Sequence, residues 1–554
     1  MVAMSSFLHA RCHWTQCSAT LCEKPAILHP SRRIRTKLSG SPDPRRPQAM
    51  PGRMEFQLNL PKSAPTPTGR DSDAPPRLLI MADFSGRGQR EPPAADPNLA
   101  SRPLLAVDAD HFSAVMARLE PTLRLPLAAG ADLAVRFTQL DDFHPDALYR
   151  RLEPFQALRR TRARLLDPAH FTQAAAELVP LAAPEPVHSE PSAPAEGESA
   201  LLERLLGRAP AAPPAARPVE AGANVIQNWL RTIVRPHIVH TDPRQSAWVA
   251  AVDAALGDQM RAILHQPAFQ ALEAAWRGVH GLVANLDDDG ARVFLLDVTQ
   301  QELLLDLRAA GGKPQATGLH TLLIERGVRM PDGQPWTLLV GDYPFGAAPE
   351  DIALLAALGS LASHAGGPFL AAAKPELLGC DLAETLADPT RWSPPSTEAE
   401  QNWLALRRCE IAPWLGLALP RVLLRLPYGQ KTEPVEAFAF EEMPGGRDPE
   451  TYLWGNPALA CARLIAAAFA ENGWDFSPGD VLELDDCPTH IYEAAGERVM
   501  QPAAEVLLGE RAMLEILARG PMPLLGHRQR NAIRLARFQS LADPPAALAG
   551  AWRS

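Results

Sequence analysis

Trp336-Thr337-Leu338-Leu339-Val340-Gly341-Asp342-Tyr343 and Pro368-Phe369-Leu370-Ala371-Ala372-Ala373 are short apolar runs separated by a stretch with Ile352, Leu355, Leu358 and Leu361 at helical spacing from Pro349. The spacing predicts strand, helix, strand. Two strands joined through a helix run parallel, so the unit is βαβ and the fold class is α/β. Upstream, Ala291-Arg292-Val293-Phe294-Leu295-Leu296-Asp297-Val298 reads as a buried strand and Gln301 to Leu307 as a helix. Two long helices precede them. The first, from Pro243, carries Trp248, Val252, Leu256, Met260 and Ile263 on one stripe, and the second, from Pro267, carries Phe269, Leu272, Trp276, Val279 and Val283. A tryptophan stripe at this spacing is read as core or subunit interface, not as a cofactor site.

Downstream, Gly416-Leu417-Ala418-Leu419-Pro420-Arg421-Val422-Leu423-Leu424-Arg425-Leu426-Pro427-Tyr428-Gly429 is apolar enough for burial. Its prolines, arginines and Pro-Tyr-Gly turn exclude one long helix or a membrane span, so it reads as backbone pinned inside a core. Tyr452-Leu453-Trp454-Gly455-Asn456-Pro457 then opens a helix with Leu459, Leu464, Ile465 and Phe469 near one face. A strand is expected near Ala504 to Leu508 and a helix over Glu510 to Arg519.

Nearer the N-terminus, Arg77 to Ala82 reads as a buried strand entering a glycine turn. A helix with Phe112, Val115, Met116 and Leu119 follows, then two strands around Leu123 to Leu127 and Leu133 to Phe137, and helices from Asp146 to about Leu178. This makes a small α/β unit over 76–178. Residues 1–75 carry no periodicity and read as a disordered tail or start-site extension. Residues 179–223, rich in Ala, Pro, Glu and Ser, read as a tether containing one apolar island, Leu201 to Leu206. A larger mixed α/β domain with long N-terminal helices occupies 224–554.

Composition removes several function classes. The 56 prolines are about twice the usual share and concentrate in the linkers. A net charge of −10 with scattered arginines argues against nucleic acid. No run of about 18 apolar residues and no secretory h-region is present, so no membrane insertion is expected and the default location is cytoplasmic. The seven cysteines form no CxxC pairs, and no metal or cofactor is expected.

Sites for chemistry are sparse. The turn Asp83-Phe84-Ser85-Gly86-Arg87-Gly88 lacks the Gly-Lys-Ser/Thr of a phosphate loop. Asp287-Asp288-Asp289-Gly290 and Asp485-Asp486 read as solvated turns, and His364 and His490 have no nucleophile beside them. Asp342-Tyr343, at the end of a strand, is where an α/β enzyme places a side chain and is the best enzyme candidate. No catalytic residue is assigned.

Residues 268–278, Ala-Phe-Gln-Ala-Leu-Glu-Ala-Ala-Trp-Arg-Gly, resemble a signature of the large contractile-sheath subunit (TssC/VipB-like) of bacterial type VI secretion systems. Gly341-Asp342-Tyr343, Pro368-Phe369, Leu419-Pro420-Arg421 through Pro427-Tyr428-Gly429, and Tyr452-Leu453-Trp454-Gly455-Asn456 follow in the family's order. Leu79 to Phe84, Val107 to Phe112 and Asp141-Asp142-Phe143-His144-Pro145 resemble the small subunit (TssB/VipA-like). The chain thus resembles both subunits fused through the tether.

The resemblance implies a structural role: pairing with other sheath subunits, helical assembly around an inner tube, and contraction, with baseplate and a AAA+ disassembly ATPase as further partners. It implies no catalytic residues and no cofactor. It marks Phe269, Leu272, Trp276, Arg277, Pro420, Arg421, Pro427, Tyr428, Tyr452, Trp454 and Asn456 as structural or interface positions. In that family the large subunit continues well past the region matching Ala532 to Gln539, whereas this sequence ends about 15 residues later. A non-polymerising adaptor or cap is therefore the alternative expectation, and an α/β enzyme the third.

Overall fold

A nine-stranded sheet organises the molecule, and its central strand comes from the N-terminal part of the chain. The computed structural model describes residues 74–89, 99–126, 132–178, 230, 233–234, 245–287, 290–380, 383–393 and 396–552, all within one compact unit spanning Phe56–Ser554. The expected extension over 1–73, the tether with its Leu201 to Leu206 island, and Asp288 and Asp289 lie outside the described residues.

In chain order the N-terminal segment contains β1 (Arg77–Ala82), β2 (Leu105–Val107), α1 (Phe112–Leu119), β3 (Thr122–Pro126), β4 (Asp132–Arg136), α2 (Pro145–Arg151), α3 (Glu153–Leu166) and α4 (Phe171–Leu178). Then come α5 (Gln245–Leu264), α6 (Pro267–Val283), β5 (Arg292–Asp297), α7 (Gln300–Ala309), β6 (Leu338–Phe345), α8 (Pro349–Ala365) and β7 (Phe369–Ala373). The remainder holds α9 (Thr397–Arg407), β8 (Leu415–Leu419), β9 (Val422–Leu423), β10 (Trp454–Gly455), α10 (Pro457–Asn472), β11 (Glu483–Leu484), β12 (His490–Ala494), β13 (Glu497–Gln501), α11 (Glu510–Arg519), β14 (Met522–Gly526) and β15 (Ile533–Leu535).

The sheet order is β11-β15-β14-β8-β7-β6-β1-β5-β2. Strands β14, β8, β7, β6, β1 and β5 run parallel, and β2 and β15 are antiparallel to their neighbours. The βαβ unit of β6, α8 and β7 is present and parallel, as the apolar runs predict. Strand β1 pairs with β5 on one side, Ile80 opposite Leu295, and with β6 on the other, Ile80 opposite Val340.

Such a strand must be apolar on both faces. Leu78, Ile80 and Ala82 enter one core with α5, α6 and α10, while Leu79 and Met81 enter a second with α8 and Trp336. The result is three layers, helix, sheet, helix. Segments on both sides of residues 179–223 contribute to the same sheet and to the same first core.

Two local outcomes differ from the sequence pattern. The stretch expected as a strand near Ala504–Leu508 makes only an isolated antiparallel bridge, Ala504 to Val422. Its neighbours Ala503 and Glu505 bond the backbone of Leu423 and Arg421, so it crosses the two-residue β9 instead of running beside a full strand. The hairpin β12–β13 was not expected from the pattern. It is mostly exposed on both faces, so no apolar alternation marks it, and Ala495 (φ 52°) with Gly496 (φ 83°) closes its turn.

Candidate functional site

The residues singled out in the sequence gather in two places, and the larger lies where α6 meets the N-terminal segment. Phe269, Leu272 and Trp276 are buried at helical spacing. Phe137 and Phe143 stack with ring centroids 4.2 Å apart, and both meet Phe269 edge-on, at 5.8 and 5.5 Å. Trp276 packs against Phe84 (5.1 Å) and Phe112 (5.6 Å), and its indole N–H donates to the Phe84 carbonyl over 3.0 Å. The apolar stripe of α6 is therefore covered by residues 84–143 of the same chain.

Inside this joint lies a charged network. Glu273 is fully buried; its Oε1 accepts from Arg277 Nε (2.7 Å) and Arg425 Nε (2.9 Å). Arg425 reaches on to both oxygens of buried Glu442, at 2.8 and 3.1 Å, with its guanidinium carbon 4.2 Å from the Tyr428 ring centroid. The Tyr428 N–H donates to Glu442 at 2.7 Å, Arg277 donates to the Tyr428 hydroxyl at 3.1 Å, and His144 meets the Tyr428 ring edge-on at 4.9 Å.

Burial alone would raise the Glu442 carboxyl. The Arg425 guanidinium, His265 and the Tyr428 N–H oppose it and hold the group at about 2. Burial likewise works against the Arg425 charge, yet Glu273 and Glu442 keep the guanidinium protonated well above its ordinary range. Buried Pro427 leads into this turn, and Asp146 fixes the following loop by accepting from the N–H groups of Glu436 (3.1 Å) and Ala437 (2.8 Å).

The second gathering surrounds β9 and β10. Trp454 pairs with Leu423 across these strands and donates its indole N–H to Pro449 at 2.8 Å. Tyr452, buried beside Trp454, shares a 2.6 Å hydrogen bond with His490 Nδ1. Asn456 caps α10 by accepting from Ala458 N–H (2.9 Å) and donates to the Gly341 carbonyl of β6 (3.2 Å). Pro420 is buried after a cis peptide bond, and exposed Arg421 makes a two-pronged pair with Glu505 at 2.6 and 3.0 Å.

The carboxyl ends of the parallel strands, where an open α/β sheet binds ligands, carry Asp83, Asp297 and Asp342. Two arginines occupy this crest. Arg87 pairs with Asp297, and buried Arg102 donates to the Asp297 carbonyl (2.8 Å) and to Glu302 (2.8 Å). Glu302 also closes a capping box with Thr299 at the start of α7. The turn N–H groups of Arg87 and Gly88, which a phosphate would need, donate to the Asp83 carboxylate, each at 2.8 Å.

Asp342 sits at a register shift between β6 and β7; burial pushes its carboxyl up to about 6 against the opposing Asn456 bond. Tyr343 is buried and donates to the Val298 carbonyl. His364 Nδ1 lies 2.6 Å from the Ser360 carbonyl oxygen. Among the described residues no group of three His, Cys, Asp or Glu could hold a metal ion, and no helix is long and apolar enough to cross a membrane.

Glu273, Arg425, Glu442, Arg87 and Arg102 were not marked by the sequence reading. A signal existed for the first: Glu273 interrupts the α6 stripe next to Leu272, and a charge on a buried face needs a partner. For Arg102 and Glu302, 200 residues apart, no local pattern could supply the pairing.

Residues 246–542 match the family described as EvpB/VC_A0108, tail sheath N-terminal domain (VipB), and residues 67–178 match the family described as Type VI secretion system, VipA, VC_A0107 or Hcp2. The chain is also similar to the type VI secretion system sheath protein TssC1 of Pseudomonas aeruginosa, 34% identical over 303 residues. That match covers 53% of this chain and 61% of the relative's length. The first matched family spans more than half of the sequence and takes in α6, the buried ion network and eight of the nine sheet strands other than β1 and β2's side of the joint is matched by the second, so the chain belongs to the VipB tail sheath family and carries a VipA-like segment ahead of it.

Proposed function

We propose that this chain is a structural component of a type VI secretion contractile sheath, assembling with other sheath subunits around an inner tube. One observation carries the reading: segments matching two sheath families, 67–178 and 246–542, interlock in one sheet through β1. A paired small and large unit is what such a lattice repeats. Baseplate and a AAA+ disassembly ATPase are proposed as its further partners, and Phe269, Trp276, Arg277 and Tyr428 as residues that hold the pair together.

The protein acts without catalysis in this reading. Support comes from the strand crest, where Arg87 and Arg102 fill the position a substrate would take. Negative-stain electron microscopy of the purified full chain, alone and mixed with sheath subunits from the same cell, tests the proposal. Tubular or ring-shaped assemblies are expected. Discrete, non-growing complexes with sheath would turn the reading to an adaptor or cap, and monomers in both samples would overturn it.

A further inference from the structure

The corner formed by α2 and α3 carries six arginines, and only half of them have a carboxylate partner among the described residues. Arg151 pairs with Asp142 (2.5 Å), Arg162 with Asp253 (2.6 Å) and Arg164 with Glu177 (2.7 Å). Arg150, Arg159 and Arg160 are exposed and have none. Arg159 lies over the Tyr149 ring, 5.1 Å from its centroid. These three side chains line an open groove of about 540 Å³ that contains no Asp or Glu and ends at Leu166, an apolar side chain left 50% exposed.

We propose that this groove docks a short acidic peptide segment of a partner protein, one that also presents an apolar side chain. Carboxylates of the segment would meet the forked guanidinium groups of Arg150, Arg159 and Arg160, and its apolar residue would cover Leu166 and the edge of Tyr149. Charge complementarity selects this occupant. The chain as a whole carries a net charge of −10, so a polyanion running beyond the groove meets repulsion, whereas a segment confined to it does not. The exposed leucine at the end of the groove adds a contact that a phosphate backbone cannot use. The proposal does not depend on the sheath reading.

Fluorescence anisotropy with a labelled short peptide of glutamates interrupted by leucines, titrated with the purified full chain, tests it. Saturable binding is expected, weakening about tenfold or more in the Arg159→Glu/Arg160→Glu variant. Thermal unfolding of that variant should match wild type, because neither side chain makes an ion pair. Leu166→Ser should weaken binding of the leucine-bearing peptide and leave an all-glutamate peptide unaffected. Absent binding, equal binding by the double variant, equal affinity for the all-glutamate peptide, or tighter binding of single-stranded DNA of the same length would each overturn the proposal.

Discussion

Glu273 and Glu442 have almost no exposed surface, and both are neutralised by one guanidinium, that of Arg425. Removing Arg425 leaves two buried carboxylates with less than their complement of donors, so Arg425→Ala is expected to cost about 3–5 kcal/mol in urea unfolding. Arg421→Ala, which breaks a pair whose arginine is 46% exposed, should cost less than about 1 kcal/mol in the same measurement. Acidity separates two other carboxyls.

Glu442 sits at about 2 in the fold against an ordinary 4.5, so the unfolded chain binds the proton more readily. Its contribution is complete above pH 4.5 and is lost as pH falls toward 2, on the order of 3 kcal/mol in all. Glu442→Gln should flatten that part of the stability profile. Asp342, raised to about 6 from 3.8, has the opposite sign: its charge is a penalty above pH 6 that disappears as pH falls toward 3.8. Asp342→Asn is therefore expected to unfold later than wild type at pH 7, with the difference vanishing near pH 4, as read by thermal melts across pH.

At the scale of elements, α6 is the part most exposed to test. Trp276 has no accessible surface and bridges to Phe84 and Phe112, so Trp276→Ala should cost about 3–5 kcal/mol and make residues 74–178 more sensitive to limited proteolysis. Between α8 and β7, a Cβ on Gly367 would stand 2.4 Å from the backbone of Thr337, which cannot rotate away. Gly367→Ala should thus lower stability by about 1–3 kcal/mol or more, measured by the same unfolding curve. Most of these elements were legible beforehand, for reasons that differ. The helices α5, α6 and α8 announce themselves through apolar spacing, and α11 was anticipated over Glu510–Arg519. The parallel order of β6 and β7 follows from the helix between them.

What the sequence could not supply was the placement of β1 between β5 and β6, since its apolar run says only that both faces are covered, not by what. The ion network was equally hidden: Arg425 and Glu273 stand 152 residues apart and meet only after the sheet has formed. The exposed hairpin β12–β13 lacked any buried face to leave a mark.

For the whole molecule, the sheet's dependence on β1 makes a further expectation. Expressed alone, a fragment beginning near residue 224 would lack the strand that joins β5 to β6 and should accumulate as insoluble protein. Co-expression with a fragment covering residues 1–200 should restore a soluble pair that co-purifies, and recovery of a well-folded C-terminal fragment by itself would contradict the topology. Folding of the intact chain should be slow, because Ser85 and Asp297, hydrogen-bonded at the sheet's edge, are 212 residues apart in sequence.

Threading β1 through the middle of the sheet while keeping both halves on a single polypeptide also fixes their stoichiometry. Two separate chains would part on dilution or fall out of balance when one is overproduced; here the local concentration of one half around the other is set by the tether and never changes.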